Sequence, residues 1–117
     1  MTNSSEPRIA RVKLMNEYGA EFPLWGYAHD DDGPYFREDI VSAALAEALR
    51  QWAEYFDTYY DLDSGWQSLV VCKRQMAAGK ELFASLRAEL EPEVSVEFDF
   101  WEARVQGEDL SVGELSR

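Results

Sequence analysis

SAALAEALRQWAEYFDTYY, residues 42–60, decides the fold of this chain. Leu45, Ala48, Leu49, Trp52, Tyr55, Phe56 and Tyr59 recur at the i, i+3, i+4, i+7 spacing of one helix face. Ser42 stands where an N-cap hydroxyl accepts from an otherwise orphaned amide. The spacing predicts a helix over 43–60. Asp61-Leu62-Asp63-Ser64-Gly65 then breaks the pattern, because short polar side chains and glycine favour turns. Beyond the break, Leu69, Cys72, Met76, Gly79, Phe83, Leu86 and Leu90 form a second stripe, predicting a helix from about Gln67 to Leu90 that Pro92 ends. Gly79 lies on its buried side. A glycine there costs about 1 kcal/mol against alanine, so its expected use is close approach of another backbone.

Two amphipathic helices joined by a short break need an apolar surface to cover, and the flanking segments supply one. Arg8 to Met15 alternates at the two-residue period of a half-buried strand, with Ala10, Val12 and Leu14 expected inward. Asn16 to Glu21 carries turn chemistry, and Phe22 to Tyr27 resumes an extended, aromatic pattern in which Pro23 suits an edge or a strand start. After the helices, Glu93 to Arg104 alternates again, with Val94, Val96, Phe98 and Phe100 on one face. If that strand lies beside the first, Arg11 and Lys13 can meet Glu97 and Asp99 on the solvent side, and the two strands run parallel. The predicted class is therefore α+β: a two-layer domain of order β-β-α-α-β, its small three-stranded sheet covered on one face by a helical hairpin. Residues 1–7 read as a disordered lead-in, 8–104 as the single domain, and 105–117, poor in large apolar groups, as a flexible tail.

Charge is unevenly spread. Ten of the 23 carboxylates lie between Asp30 and Asp63, a stretch with only two cations, Arg37 and Arg50. Residues 1–29 are neutral, so the net charge of −12 comes from the middle and, less densely, from the last third. Such a potential attracts cationic partners and repels nucleic acid and anionic membranes. No apolar run approaches the ~20 residues of a membrane span, and the N-terminus has no apolar signal region. One cysteine, Cys72, excludes an internal disulfide and suits a reducing cytoplasm.

Chemistry is harder to find. Asp30, Asp31 and Asp32 before Gly33 invite comparison with a hard-cation loop, but consecutive aspartates diverge and the spacing of an EF-hand is absent. They read as a solvated acidic loop or a partner contact, with no metal site. His29, the only histidine, reads as a surface group, and Cys72 as a small core residue on the second helix's apolar stripe. Carboxylates are numerous enough for acid–base chemistry, yet nothing singles out two of them. Phosphate-cradling glycine loops, nucleophile elbows and H-E-x-x-H are missing, so no catalytic residue and no cofactor is predicted.

What remains is a surface. Glu54, Asp57 and Asp61 follow i, i+3, i+7 spacing along one ridge, where like charges repel and oppose the helix dipole. Beside them stand Tyr55, Tyr59, Tyr60 and Trp66, of which two are expected to be buried and at least one available. Tyrosine and tryptophan next to carboxylates make good interface anchors. The predicted partner-binding set is Asp30, Asp31, Asp32, Glu54, Asp57, Tyr59, Tyr60, Asp61, Asp63 and Trp66.

Val12-Lys13-Leu14-Met15, Glu17-Tyr18-Gly19, Pro23-Leu24-Trp25, Trp52, Phe56-Asp57, Gly65-Trp66, Gly79 and Leu86-Arg87-Ala88-Glu89-Leu90 together resemble small acidic bacterial proteins of actinomycete type. Some of these look like immunity proteins of polymorphic toxin systems. The resemblance covers most of the chain, carries no biochemical motif, and departs at residues 26–41, where the acidic loop is individual. It implies a cytoplasmic, non-enzymatic, antitoxin-like inhibitor that occludes the basic active site of a cognate toxin domain. A self-associating structural protein, acting as a homodimer, and a small carboxylate-dependent enzyme stay open as alternatives.

Overall fold

Ser42 caps the first long helix as its position implies. In the computed structural model, which describes residues 9–20, 22–28 and 40–115, its Oγ accepts from the Leu45 amide at 3.2 Å and α1 runs Ala43–Tyr59. A carboxylate from the second helix strengthens the cap: Glu89 accepts from the Ser42 amide and from its hydroxyl, each at 2.7 Å. Helix α2, Leu69–Leu90, starts two residues later than expected, because Ser68 takes the capping position and accepts from Val71 N at 3.2 Å. The lead-in at residues 1–7, His29 and the loop of Asp30, Asp31 and Asp32 lie outside the described residues.

The sheet has the order β2-β1-β3, with β1 at Ile9–Leu14, β2 at Leu24–Ala28 and β3 at Ser95–Phe98. β1 pairs antiparallel with β2 and parallel with β3, placing Lys13 opposite Glu97. Arg11 reaches the Glu97 carboxylate at 3.8 Å across the solvent face. Asp99 is past the end of the strand and instead donates its amide to Leu14 O at 2.9 Å. One inward assignment changes. The register shifts between Ile9 and Arg11, and this irregularity turns Ile9 into the core in place of Ala10, while Val12 and Leu14 point inward as expected.

The helical hairpin covers the sheet's inner face, and Leu45, Leu49 and Trp52 of α1 meet Leu86 and Leu90 of α2 and Val12, Leu14, Leu24 and Val96 of the strands in one core. Gly79 sits where its stripe placed it, but what approaches is aromatic side chain, not backbone: a Cβ there would lie 2.6 Å from Phe98 Cζ and 2.9 Å from Trp52 Cζ2. A second, smaller core joins Phe56, Trp66, Cys72, Met76 and Leu115. Leu115 belongs to the stretch expected as a tail. That stretch carries regular structure instead: a two-stranded ribbon of β4, Arg104–Val105, and β5, Glu108–Asp109, then a helical turn α3, Val112–Leu115. Few apolar residues are needed there, since Leu110 and Leu115 close a core that Phe56 and Trp66 largely fill.

Candidate functional site

The turn between the two helices gathers most of the described residues singled out from charge and aromaticity. Glu54 and Asp57 lie exposed on the last turns of α1, Asp61 and Asp63 exposed in the turn that follows. Tyr55 and Tyr59, one helical turn apart, pack at a tilt with ring centroids 4.6 Å apart and remain 41% and 50% exposed. Leu62 in the turn is 70% exposed, and Leu69 and Val70 at the start of α2 are also exposed. This hairpin end therefore mixes anionic and uncovered apolar groups, the composition of a protein-binding patch.

Beneath it the structure is firm. Trp66 is 0% exposed, so it floors the patch rather than projecting from it; its indole N–H donates to Glu102 O at 2.9 Å. Tyr60 is half-buried, packed on Phe56 at 5.0 Å and edge-on to Trp66 at 5.1 Å, and burial foremost pushes its phenol up to about 12. A recess of about 470 Å³ beside these rings is lined by Tyr59, Tyr60, Asp61, Ser64 and Gln106 among others. Of the four aromatics only Trp66 is fully buried, where two were expected; Tyr60 is half-buried, and Tyr55 and Tyr59 are exposed.

The turn itself supplies Asp61 with hydrogen-bond donors. Asp61 Oδ2 accepts from Ser64 N and Asp63 N, both at 2.9 Å, and from Ser64 Oγ at 3.2 Å. The Ser64 amide, then that of Asp63, hold its carboxyl below the usual range. Asp61 is consequently a turn-former as well as a surface charge. Gly65 follows with φ +80°, and a side chain on it would run into the Arg104 carbonyl. That carbonyl is needed, since it accepts from Trp66 N at 2.8 Å. Arg104 grips Asp109 through Nε at 3.0 Å and Nη2 at 3.3 Å and donates to Asp63 O at 2.9 Å. Asp57, by contrast, has its pKa raised by desolvation alone.

Sequence reasoning missed Glu102 and Asn16. Glu102 is 0% exposed; its Oε2 accepts from Asn16 Nδ2 at 2.9 Å, while Oε1 has no hydrogen-bond partner among the described residues. Burial foremost pushes this carboxyl up to about 7, and Asp99 adds to the rise. Trp101 donates to Asn16 O at 2.6 Å, so two indoles brace the backbones of the pair. The signal was available: Val96, Phe98, Phe100 and Glu102 share one parity of an alternating segment, which points the acid inward.

These features define a small α+β protein whose distinguishing surface is an acidic, aromatic helix-hairpin end over a rigid aromatic floor. The model of the family described as Serratia CdiI immunity protein-like matches residues 10–100, and the chain belongs to that family of contact-dependent inhibition immunity proteins. The match agrees with the immunity-protein part of the resemblance noted above. It implies a cognate toxin protein as partner. No curated protein matches the chain. No described helix is long and apolar enough to cross a membrane.

Proposed function

We propose that the chain is a cytoplasmic immunity protein that binds a cognate toxin domain through the hairpin end and covers its basic active site, without chemistry of its own. The observation that carries the reading is the exposed, tilted Tyr55–Tyr59 ring pair beside Glu54 and Asp57. A toxin that acts on nucleic acid or nucleotides must present a basic site, and an acidic surface competes for the same potential. In this reading Glu54, Asp57, Asp61 and Asp63, with the loop of Asp30, Asp31 and Asp32, speed association. Tyr59, with Tyr55 beside it, supplies desolvated contact that slows dissociation, and Tyr60 and Trp66 hold them in place from below. Self-association is disfavoured by the net charge of −12 that each copy would bring.

The test is the rate of association with the co-encoded toxin domain, measured by surface plasmon resonance across a salt series. Glu54→Lys with Asp57→Lys is the informative pair, since Asp61 variants would also break the turn. Reversal should slow association about tenfold or more at low salt, with the gap closing as salt rises. An unchanged rate with full toxin binding would move the interface elsewhere.

A further inference from the structure

Between α1 and α2 runs an open furrow of about 730 Å³, separate from the recess at the hairpin end but meeting the exposed patch at Tyr55. Ala44 and Ala48 line it from α1, and Ala78, Leu82 and Ser85 from α2. The helices are clasped near both ends of it. At one, Glu89 binds the Ser42 amide and hydroxyl at 2.7 Å each; at the other, Trp52 Nε1 donates to Gln75 O and Gln75 Nε2 donates to Trp52 O, each at 3.0 Å. Between the clasps the side chains facing outward are too short to fill the space, and buried Leu45 and Trp52 form its floor. The furrow is therefore preformed.

Its dimensions suit one object. From Ser42 to Tyr55 the groove follows α1 for about 20 Å, the length of a helix of three to four turns. Small residues on both walls let a third helix approach to the usual 8–10 Å between axes. Among the described residues its lining includes Glu81 and Glu89, both on α2, and no lysine or arginine. We infer that the furrow seats a short amphipathic helix of a basic partner, an apolar stripe packing on the alanines and flanking lysines or arginines meeting Glu81 and Glu89 on the α2 rim. A second copy of this chain fits poorly, because it would set acidic rim against acidic rim. The inference rests on the reading of the protein as a binder of a basic toxin, and names a further part of that interface.

The experiment uses the full chain and a fluorescein-labelled model helix of about 15 residues, with a leucine stripe flanked by lysines. Two control peptides accompany it, one with the same composition scrambled and one flanked by glutamates. Fluorescence polarisation should give saturable binding for the striped lysine helix, at least tenfold weaker for the scrambled peptide and absent for the glutamate twin. Ala48→Trp, which fills the furrow, and Ser85→Lys, which adds a positive charge at an exposed wall position between Glu81 and Glu89, should each weaken binding at least tenfold. If Ala48→Trp fails to fold, Ser85→Lys decides alone. Equal binding of striped and scrambled helices, insensitivity to the variants, or no saturable binding would overturn the inference. So would light scattering that finds a dimer occupying the furrow. Toxin binding that survives Ser85→Lys but falls with Glu54→Lys and Asp57→Lys would reject the furrow and leave the proposed function standing.

Discussion

Glu102→Gln is expected to remove a pH dependence from the stability of this protein. Glu102 is wholly buried with one carboxylate oxygen unpartnered among the described residues, and its pKa rises from 4.5 to about 7 on folding. The folded state therefore holds a proton that the unfolded chain releases between those two values. Stability is fully present below pH 4.5, falls as pH rises through 7, and stays low above it. At about 1.4 kcal/mol per unit of pKa, the loss amounts to about 3 kcal/mol, or roughly 10 °C in Tm for a chain of this size. Glutamine keeps an acceptor for Asn16 Nδ2 and does not titrate. Urea unfolding of both proteins from pH 4.5 to 8.5, compared at equal m value, should show the stability of Glu102→Gln relative to the parent rising by that amount. A difference constant to within about 0.5 kcal/mol across the range would mean that the carboxyl is solvated or paired, and would refute the reasoning.

Other outcomes follow from the packing. Gly79→Ala gains about 1 kcal/mol of helix propensity but drives a methyl into Phe98 and Trp52, so a net destabilisation of about 1–2 kcal/mol is expected by chemical denaturation. Ser42→Ala removes both the cap on Leu45 and a partner of Glu89 and should cost about 1–2 kcal/mol, whereas Ser42→Asp should repel Glu89 and fail to restore it fully. Cys72 is fully buried and burial pushes its thiol up to about 11, so Ellman's reagent should react only at the rate of global or local unfolding; prompt reaction in the native state would contradict the second core.

Much of the fold was readable because its strongest signals are local. Ser42, the stripe from Leu45 to Phe56 and the alternation around Val96 each depend on a few neighbouring residues, and each produced the element it implied. The parallel placement of β3 beside β1 was readable as a consequence of an antiparallel hairpin between them. What escaped depends on distant partners. Ile9 replaces Ala10 inside because of a register shift against β2, and residues 104–115 carry regular structure because Leu115 finds Phe56, Trp66, Cys72 and Met76. At the candidate site, the exposed acids were legible from composition, whereas Tyr55 and Tyr59, which the spacing put on the apolar stripe of the first helix, are exposed. Trp66 was not legible either, since nothing in Gly65-Trp66-Gln67 says that Glu102 O waits for its indole. Asp61's part in the turn was likewise hidden behind its charge.

The position of β1 has a temporal consequence. It is the central strand of its sheet, yet its parallel partner begins at Ser95, and Arg11 pairs with a residue 84 positions along the chain. During synthesis β1 and β2 emerge first as an incomplete pair with the β1 edge still bare, and only after both helices have been made can β3 cover that edge. Such long-range pairing slows folding, because the loop entropy is spent before the contacts return anything. We expect the helical hairpin to form early and the docking of β3 to set the rate. A cell relying on this chain for protection would then need a standing pool of finished molecules, since a newly started copy is no defence until its last third has been translated.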